Sequence, residues 1–394
     1  MSGDRENVVM KEGEISRRSF VVKSVATVGI ALVPGLQSAC SSRGKAQITS
    51  KSVEVIDDAL KMLSEIAPLT NHGPMAAEAL VAMGRADRVI PFVERYRDRF
   101  SSPYPPRYQT VSDQNWQAAL SDHRRITDWI DLIEREIKDI GWRQTVEKWC
   151  DRLAPGLSAA AAHGLIRTGH AVRSLGRSDT EARRRELANG LGYWAAFYQA
   201  LPEVPVGGEP ATRSSTIQDA VARIPILPVE MRLRGSIMSQ LTALNDFGDF
   251  RRTIDSVELQ GKPAELLSGV TEAFASIYMK HVSRRNDIAL IHAVTGSTSI
   301  RHLLPYLSAP TAAKMLRYGW QAAAGIYSIS GNETVNKVPD ERLDQAGLID
   351  RASTSNEEHA VKFTEACVSE FRLNPKPIYL LAAKDALERL PRHA

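Results

Sequence analysis

Beyond residue 50, apolar residues recur at three- and four-residue steps almost without interruption, and no segment alternates convincingly between apolar and polar. In 51–67, Val53, Ile56, Leu60, Leu63 and Ile66 fall on one helical face. Residues 125–138 and 143–153 repeat the pattern, with Trp129, Ile130, Leu132, Ile133 and Ile137 in the first. The run 157–175 is alanine-rich and reads as helical, and 180–201 carries Tyr193, Trp194, Phe197 and Tyr198. The spacing predicts further helices over 74–84, 86–100, 216–223, 231–246, 262–293, 296–307, 310–328, 354–372 and 376–390. A period near 3.6 with no period of two makes the chain all-α.

Loops are expected at 101–113, 202–215 and 329–341, and the second gathers Pro and Gly. Two arrangements follow: one large helical bundle-like domain, or two lobes around a central metal pocket. No repeat of 30–45 residues favours a solenoid. Of the 394 residues, 43% are hydrophobic and 24% charged, enough for a large core but not for a polytopic membrane protein. The 50 Lys and Arg against 46 Asp and Glu form no long basic stripe, so no nucleic-acid partner is expected.

The first forty residues read as an address, leaving 41–394 as the folded domain. Ser16-Arg17-Arg18-Ser19-Phe20-Val21-Val22-Lys23 matches the twin-arginine export motif, and an apolar stretch from Val25 to Leu36 has the length of a signal h-region. That stretch is too short to span a bilayer. It ends in Leu36-Gln37-Ser38-Ala39-Cys40, which allows lipidation of Cys40 or ordinary cleavage after Ala39. Arg17 and Arg18 would engage the twin-arginine machinery, and the product would be periplasmic or anchored at the cell envelope through Cys40. This route carries proteins that fold, often around a cofactor, before export. Cys150 and Cys367 sit in helical patterns, as buried thiols or as a disulfide.

The nine histidines narrow the metal chemistry by elimination. There is no His-Glu-x-x-His, no Glu three residues before a His, and no Cys-x-x-Cys-His. A zincin, a ferritin-like di-iron centre and covalent haem are thereby excluded. No Gly-x-Gly-x-x-Gly follows a strand, so there is no built-in dinucleotide domain. The remaining candidates lie in apolar helical contexts. His72 precedes a Pro-initiated helix, and His163 and His170 sit seven apart among small residues. His292 lies between an apolar and a hydroxylic stretch, and His359 shares a face with Lys362.

Five segments resemble the questin oxidase-like proteins: LTNHGPMAAEALVAMGR, AHGLIRTGHAVRSL, ELANGLGYWAAFYQALP, LIHAVTGSTSIRHLLPYL and HAVKFTEACVSEF. The resemblance covers about residues 55–390. It implies an all-helical, non-haem iron-dependent oxidoreductase, and the export signal lies outside it. Such an enzyme would insert oxygen into a small aromatic substrate of polycyclic or quinone type, by Baeyer–Villiger-type or ring-opening chemistry. NADPH or another external reductant would supply electrons. Carried over by motif, the Fe(II) ligands would be His72, His163, His292 and His359, with Lys362 carboxylated as an oxygen donor. The chain has Arg167 where fungal members carry a second His, and His170 where they carry Tyr, so these two are the expected catalytic residues beside the metal. The other reading is a non-catalytic helical protein that binds an apolar ligand in the same pocket.

Overall fold

The computed structural model describes residues 50–64, 66, 71–100, 102–205, 212–332 and 335–390. Arg17, Arg18 and Cys40 lie outside the described residues. The described chain is helical: α1 (Ser50–Leu63), α2 (His72–Ala82), α3 (Val89–Arg99), α4 (Trp116–Ala119), α5 (Ile126–Ile140), α6 (Trp142–Leu153), α7 (Ala159–Arg177) and α8 (Glu181–Ala196). There follow α9 (Ile217–Ala222), α10 (Ile237–Leu241), α11 (Pro263–His281), α12 (Asp287–Leu303), α13 (Ala309–Ser330), α14 (Gln345–Ser353), α15 (Glu358–Leu373) and α16 (Pro377–Arg389). Among the described residues there is no strand, only two isolated bridges, Leu157 with Gln199 and Ser214 with Val257. No described helix is long and apolar enough to cross a membrane. Cys150 and Cys367 are free thiols, both buried.

Two expected helices differ from the periodicity, and one helix is added to it. The helix expected over 262–293 breaks into α11 and α12, because Asn286 Oδ1 accepts from the backbone N–H and hydroxyl of Ser283 at 2.7 and 2.9 Å. That side chain closes a turn the apolar pattern does not register. Residues 231–246 form only the short α10 and flanking 3₁₀ turns. Helix α14 was not expected, and Asp344 starts it by accepting from the N–H groups of Ala346 and Gly347.

The functional layer is built from α2, α7, α12 and α15. Helix α7 packs on α2, α8 and α12, and α15 packs on α2 and α12. Close approach is written into glycines. A Cβ on Gly164 would sit 2.6 Å from Trp194 Cα on α8, and one on Gly169 would sit 2.8 Å from the Ser299 carbonyl on α12. Two apolar clusters flank this layer. One takes in the inward faces of α2, α12 and α15 and is centred on Phe274, Trp320 and Phe363. The other takes in α5, α6, α7 and α8 around Trp129, Trp149 and Trp194.

Candidate functional site

Each of the four helices delivers its functional side chain from a constrained backbone position. Asn71 caps α2 by accepting from the Gly73 N–H, while its amide donates to the carbonyls of Leu63 (3.2 Å) and Ile66 (2.8 Å). This fixes His72 at the first position of α2, where its N–H donates to the Tyr96 hydroxyl at 2.9 Å. On α12, His292 projects from mid-helix and is 1% exposed. Helix α15 starts at Glu357, whose carboxylate accepts from the His359 N–H, placing His359 and Lys362 in its opening turns.

His163 is delivered differently. Ala160, Ala161 and Ala162 all have positive φ (46°, 60° and 65°), one turn of left-handed backbone inside a run that reads as ordinary helix. Each such residue costs about 1–2 kcal/mol relative to the right-handed form. The turn aims the Ala160 carbonyl at the imidazole that follows, and His163 Nδ1–H donates to it. The strain therefore sits where it orients a functional ring. Alanine is the residue least able to announce this in a sequence, since it is the best helix former.

The four imidazoles converge despite their separation in the chain. Ring centroids lie 4.8 Å apart for His72 and His163, 4.6 Å for His72 and His359, 4.4 Å for His163 and His292, and 5.3 Å for His292 and His359. The ligand atoms of His72, His163 and His359 lie within 4.8 Å of one another. Lys362 Nζ lies 3.0 Å from His72 Nδ1, is 3% exposed, and forms no ion pair among the described residues.

Tautomers follow from the partners. His292 Nδ1–H donates to the Ile288 carbonyl at 2.6 Å, and His359 Nδ1–H to Glu357 Oε1 at 2.8 Å. With Nδ1 protonated in His163, His292 and His359, each neutral ring keeps its lone pair on Nε2. The Nε2 atoms of His163 and His292 face each other at 3.0 Å. Burial, reinforced by the neighbouring imidazoles and Lys362, holds His72, His163 and His292 well below the usual histidine range. Burial and Lys362 bring His359 down to about 3. Burial lowers Lys362 from 10.5 to about 8. The cluster is thus a set of neutral, lone-pair-bearing nitrogens beside a lysine whose amine form is within reach at neutral pH.

These residues fit a metal ion. Two lone pairs aimed at each other across 3.0 Å repel unless a cation or proton lies between them, and two cis ligands each about 2.1 Å from one ion stand about 3 Å apart. Imidazole nitrogens with a hard oxygen donor suit divalent iron among other metals. The Nδ1 partners Ala160, Ile288 and Glu357 are the kind of outer contact that orients ligating imidazoles.

The cluster forms the inner end of a cavity of about 1190 Å³. Tyr193 of α8 and Phe197, which caps that helix, line its wall, with rings stacked at 4.4 Å and 22°.

His170 and Arg167 are not among the residues lining that cavity. His170 Nδ1 lies 2.7 Å from Glu78 Oε2, and Glu78 also accepts from Arg173 and from Arg177 (2.6 Å). Burial alone would raise the Glu78 carboxyl, but Arg173 and Arg177 overcome it and hold it well below the carboxylate range. Arg173 also donates to Glu365 at 2.5 Å. Arg167 makes a bidentate pair with Glu186 at 2.6 and 2.8 Å, nine-tenths or more buried on both sides. Glu78, His170 and Glu365 follow His72, His163 and Lys362 on the same three helices, a buried ionic layer roughly one to two turns below the imidazoles. The sequence analysis also missed Glu357, as well as the arginines that line the cavity's outer part, Arg232, Arg234, Arg284 and Arg285. For Arg284 and Arg285 the available signal was the Ser283–Asn286 turn.

Together the fold and the site define an all-α protein with a buried cluster of four imidazoles and a lysine at the base of a large cavity. The chain belongs to the questin oxidase-like family, whose model matches residues 69–367. No curated protein matches the chain. Membership supports an oxidoreductase, oxygenase-type function.

Proposed function

We propose that the protein is an exported, iron-dependent oxygenase that acts on a quinone-type or polycyclic aromatic substrate in the cavity above the imidazoles. The observation that carries this reading is the pair of Nε2 lone pairs of His163 and His292 facing each other at 3.0 Å, with both Nδ1 positions committed to backbone carbonyls. His72, His163, His292 and His359 would hold Fe(II), with Lys362 as its carboxylated oxygen donor. When bound, Fe(II) supplies the redox chemistry that lets dioxygen react with a closed-shell ring.

The protein's own part is to fix the charge state and orientation of the ligating rings. Burial keeps the four imidazoles neutral, and the Nδ1 contacts stop the rings from turning. With burial lowering its pKa to about 8, Lys362 reaches its free-amine form near neutral pH far more readily than an ordinary lysine. Only the amine attacks carbon dioxide. The Nζ–C bond forms, one Nζ proton leaves to solvent, and the product is an anionic carbamate. An anion also suits the N-terminal ends of α2 and α15, whose dipoles disfavour a buried ammonium. Electrons come from an external reductant, either NADPH or a reduced substrate of quinol type.

Export through Arg17 and Arg18, with Cys40 as a lipid anchor, belongs to the same proposal. Replacing Arg17 and Arg18 together by Lys should retain the precursor in the cytoplasm, and its arrival at the envelope contradicts this part. Oxygen uptake by protein reconstituted anaerobically with Fe(II) tests the chemistry, using a hydroxyanthraquinone and its hydroquinone as probes. Iron-dependent uptake is expected. Tight binding of the probe with no uptake favours instead a non-catalytic carrier of apolar ligands in the same cavity.

A further inference from the structure

The cavity has two unlike ends. Neutral imidazoles close the inner one. At the outer one Arg234, Arg284 and Arg285 are exposed and line the opening, and no carboxylate lines the cavity among the described residues. Arg232 is also there but is committed to structure, donating to the carbonyls of Leu227 at 3.0 Å and Gly331 at 2.7 Å. The other three form no ion pair among the described residues. Arg284 and Arg285 ride on the turn closed by Ser283 and Asn286, and the Asn286 amide donates to the carbonyls of His281 (3.0 Å) and Ser330 (2.9 Å).

Between the two ends the lining is apolar. Ile288 and Ala289 stand between Arg285 and His292 in the chain, and Phe197, Ile237 and Met238 also line the cavity. Phe197 is held in a stack between Tyr193 (4.4 Å, 22°) and His123 (4.0 Å, 13°).

We infer that this cavity selects an anion with an apolar body. The body lies along Phe197, Met238, Ile288 and Ala289, and its carboxylate or phenolate is read by Arg234, Arg284 and Arg285. Only the identity of the reacting end rests on the oxygenase reading, because the charge recognition requires no iron. The arginines make the outer end attractive to anions, and a bound ligand spans from them toward the imidazoles.

Isothermal titration of the full chain, metal-free and iron-loaded, with anthraquinone-2-carboxylate and with its neutral carboxamide tests the inference. The carboxylate should bind at least about tenfold more tightly in both forms, with the gap narrowing as salt is raised. Arg234→Gln, Arg284→Gln and Arg285→Gln combined should erase the gap and leave carboxamide affinity unchanged. Equal affinity for the two probes, an unchanged gap in the triple variant, or no binding of either probe overturns the inference. Vesicles of anionic phospholipid supply the rival outcome: a triple variant that loses vesicle binding but keeps the carboxylate preference assigns the arginines to a lipid surface and overturns it too. Iron content and oxygen uptake of the same preparations separate the two readings. A wild type that keeps the preference but takes up no oxygen counts against the oxygenase alone.

Discussion

Lys362 Nζ lies 3.0 Å from His72 Nδ1, joining the second turn of α15 to the first residue of α2 across 290 positions of sequence. A buried lysine with no carboxylate paired to it, next to four neutral imidazoles, has a depressed pKa for a stated reason: burial penalises its charge. The same environment that makes an ammonium costly makes the amine available to carbon dioxide.

Lys362→Ala should therefore lower iron content and oxygen uptake together, each by at least about tenfold, while the helical circular dichroism is unchanged. Protein prepared with carbon-13 bicarbonate should show a carbamate carbon resonance that the variant lacks. Added bicarbonate should improve iron loading of wild type prepared at low carbon dioxide and restore nothing in the variant. Full iron and full turnover in Lys362→Ala would show that the lysine is not a ligand.

The left-handed turn at 160–162 gives a stability test. Ala161→Gly loses about 0.8 kcal/mol of buried methyl and up to about 1 kcal/mol of backbone entropy, but relieves about 1–2 kcal/mol of left-handed strain. The net change should be close to zero. Ala171→Gly, equally buried but in the right-handed part of α7, has no strain to relieve and should cost about 1–2 kcal/mol. Urea unfolding of the two variants checks this. Equal losses would mean that residue 161 is ordinary helix.

Glu78 sets an acid limit. Its carboxyl is held well below the ordinary carboxylate range by Arg173 and Arg177 against the effect of burial. In the unfolded chain it protonates near the ordinary value. Between the two values the unfolded state binds more protons, so the stabilisation is present above about pH 4.5 and is lost as pH falls toward the folded value. Glu78→Gln should cost about 3–5 kcal/mol at pH 7, because it strips charge from a buried network, and should flatten the decline in melting temperature on the acid side. A parallel decline in the variant would assign the acid limit to other groups.

The helical class was legible because a 3.6-residue period survives in sequence, and the five-segment resemblance supplied the imidazoles and Lys362. Their convergence was not, since nothing local says that His72 meets Lys362. The turn at 160–162 was hidden because alanine suits both hands of the backbone less badly than larger residues and favours the right-handed one strongly. His170 and Arg167 were expected beside the metal. Their partners Glu78 and Glu186, 92 and 19 residues away, bind them into ionic contacts off the cavity lining, and charge composition cannot assign such pairs. The break at 282–286 lay in plain view as a Ser–Asn turn, masked by apolar residues on both sides.

In the proposed site the imidazoles of His72, His163, His292 and His359 share one iron with carboxylated Lys362. X-ray absorption at the iron edge, on protein reconstituted anaerobically with Fe(II) and freed of loose metal, tests it most directly. The account predicts one iron per chain, with about four imidazole nitrogens near 2.1 Å and an added oxygen donor that disappears in Lys362→Ala. Iron bound only in traces, or surrounded by oxygen scatterers without imidazole, would contradict it.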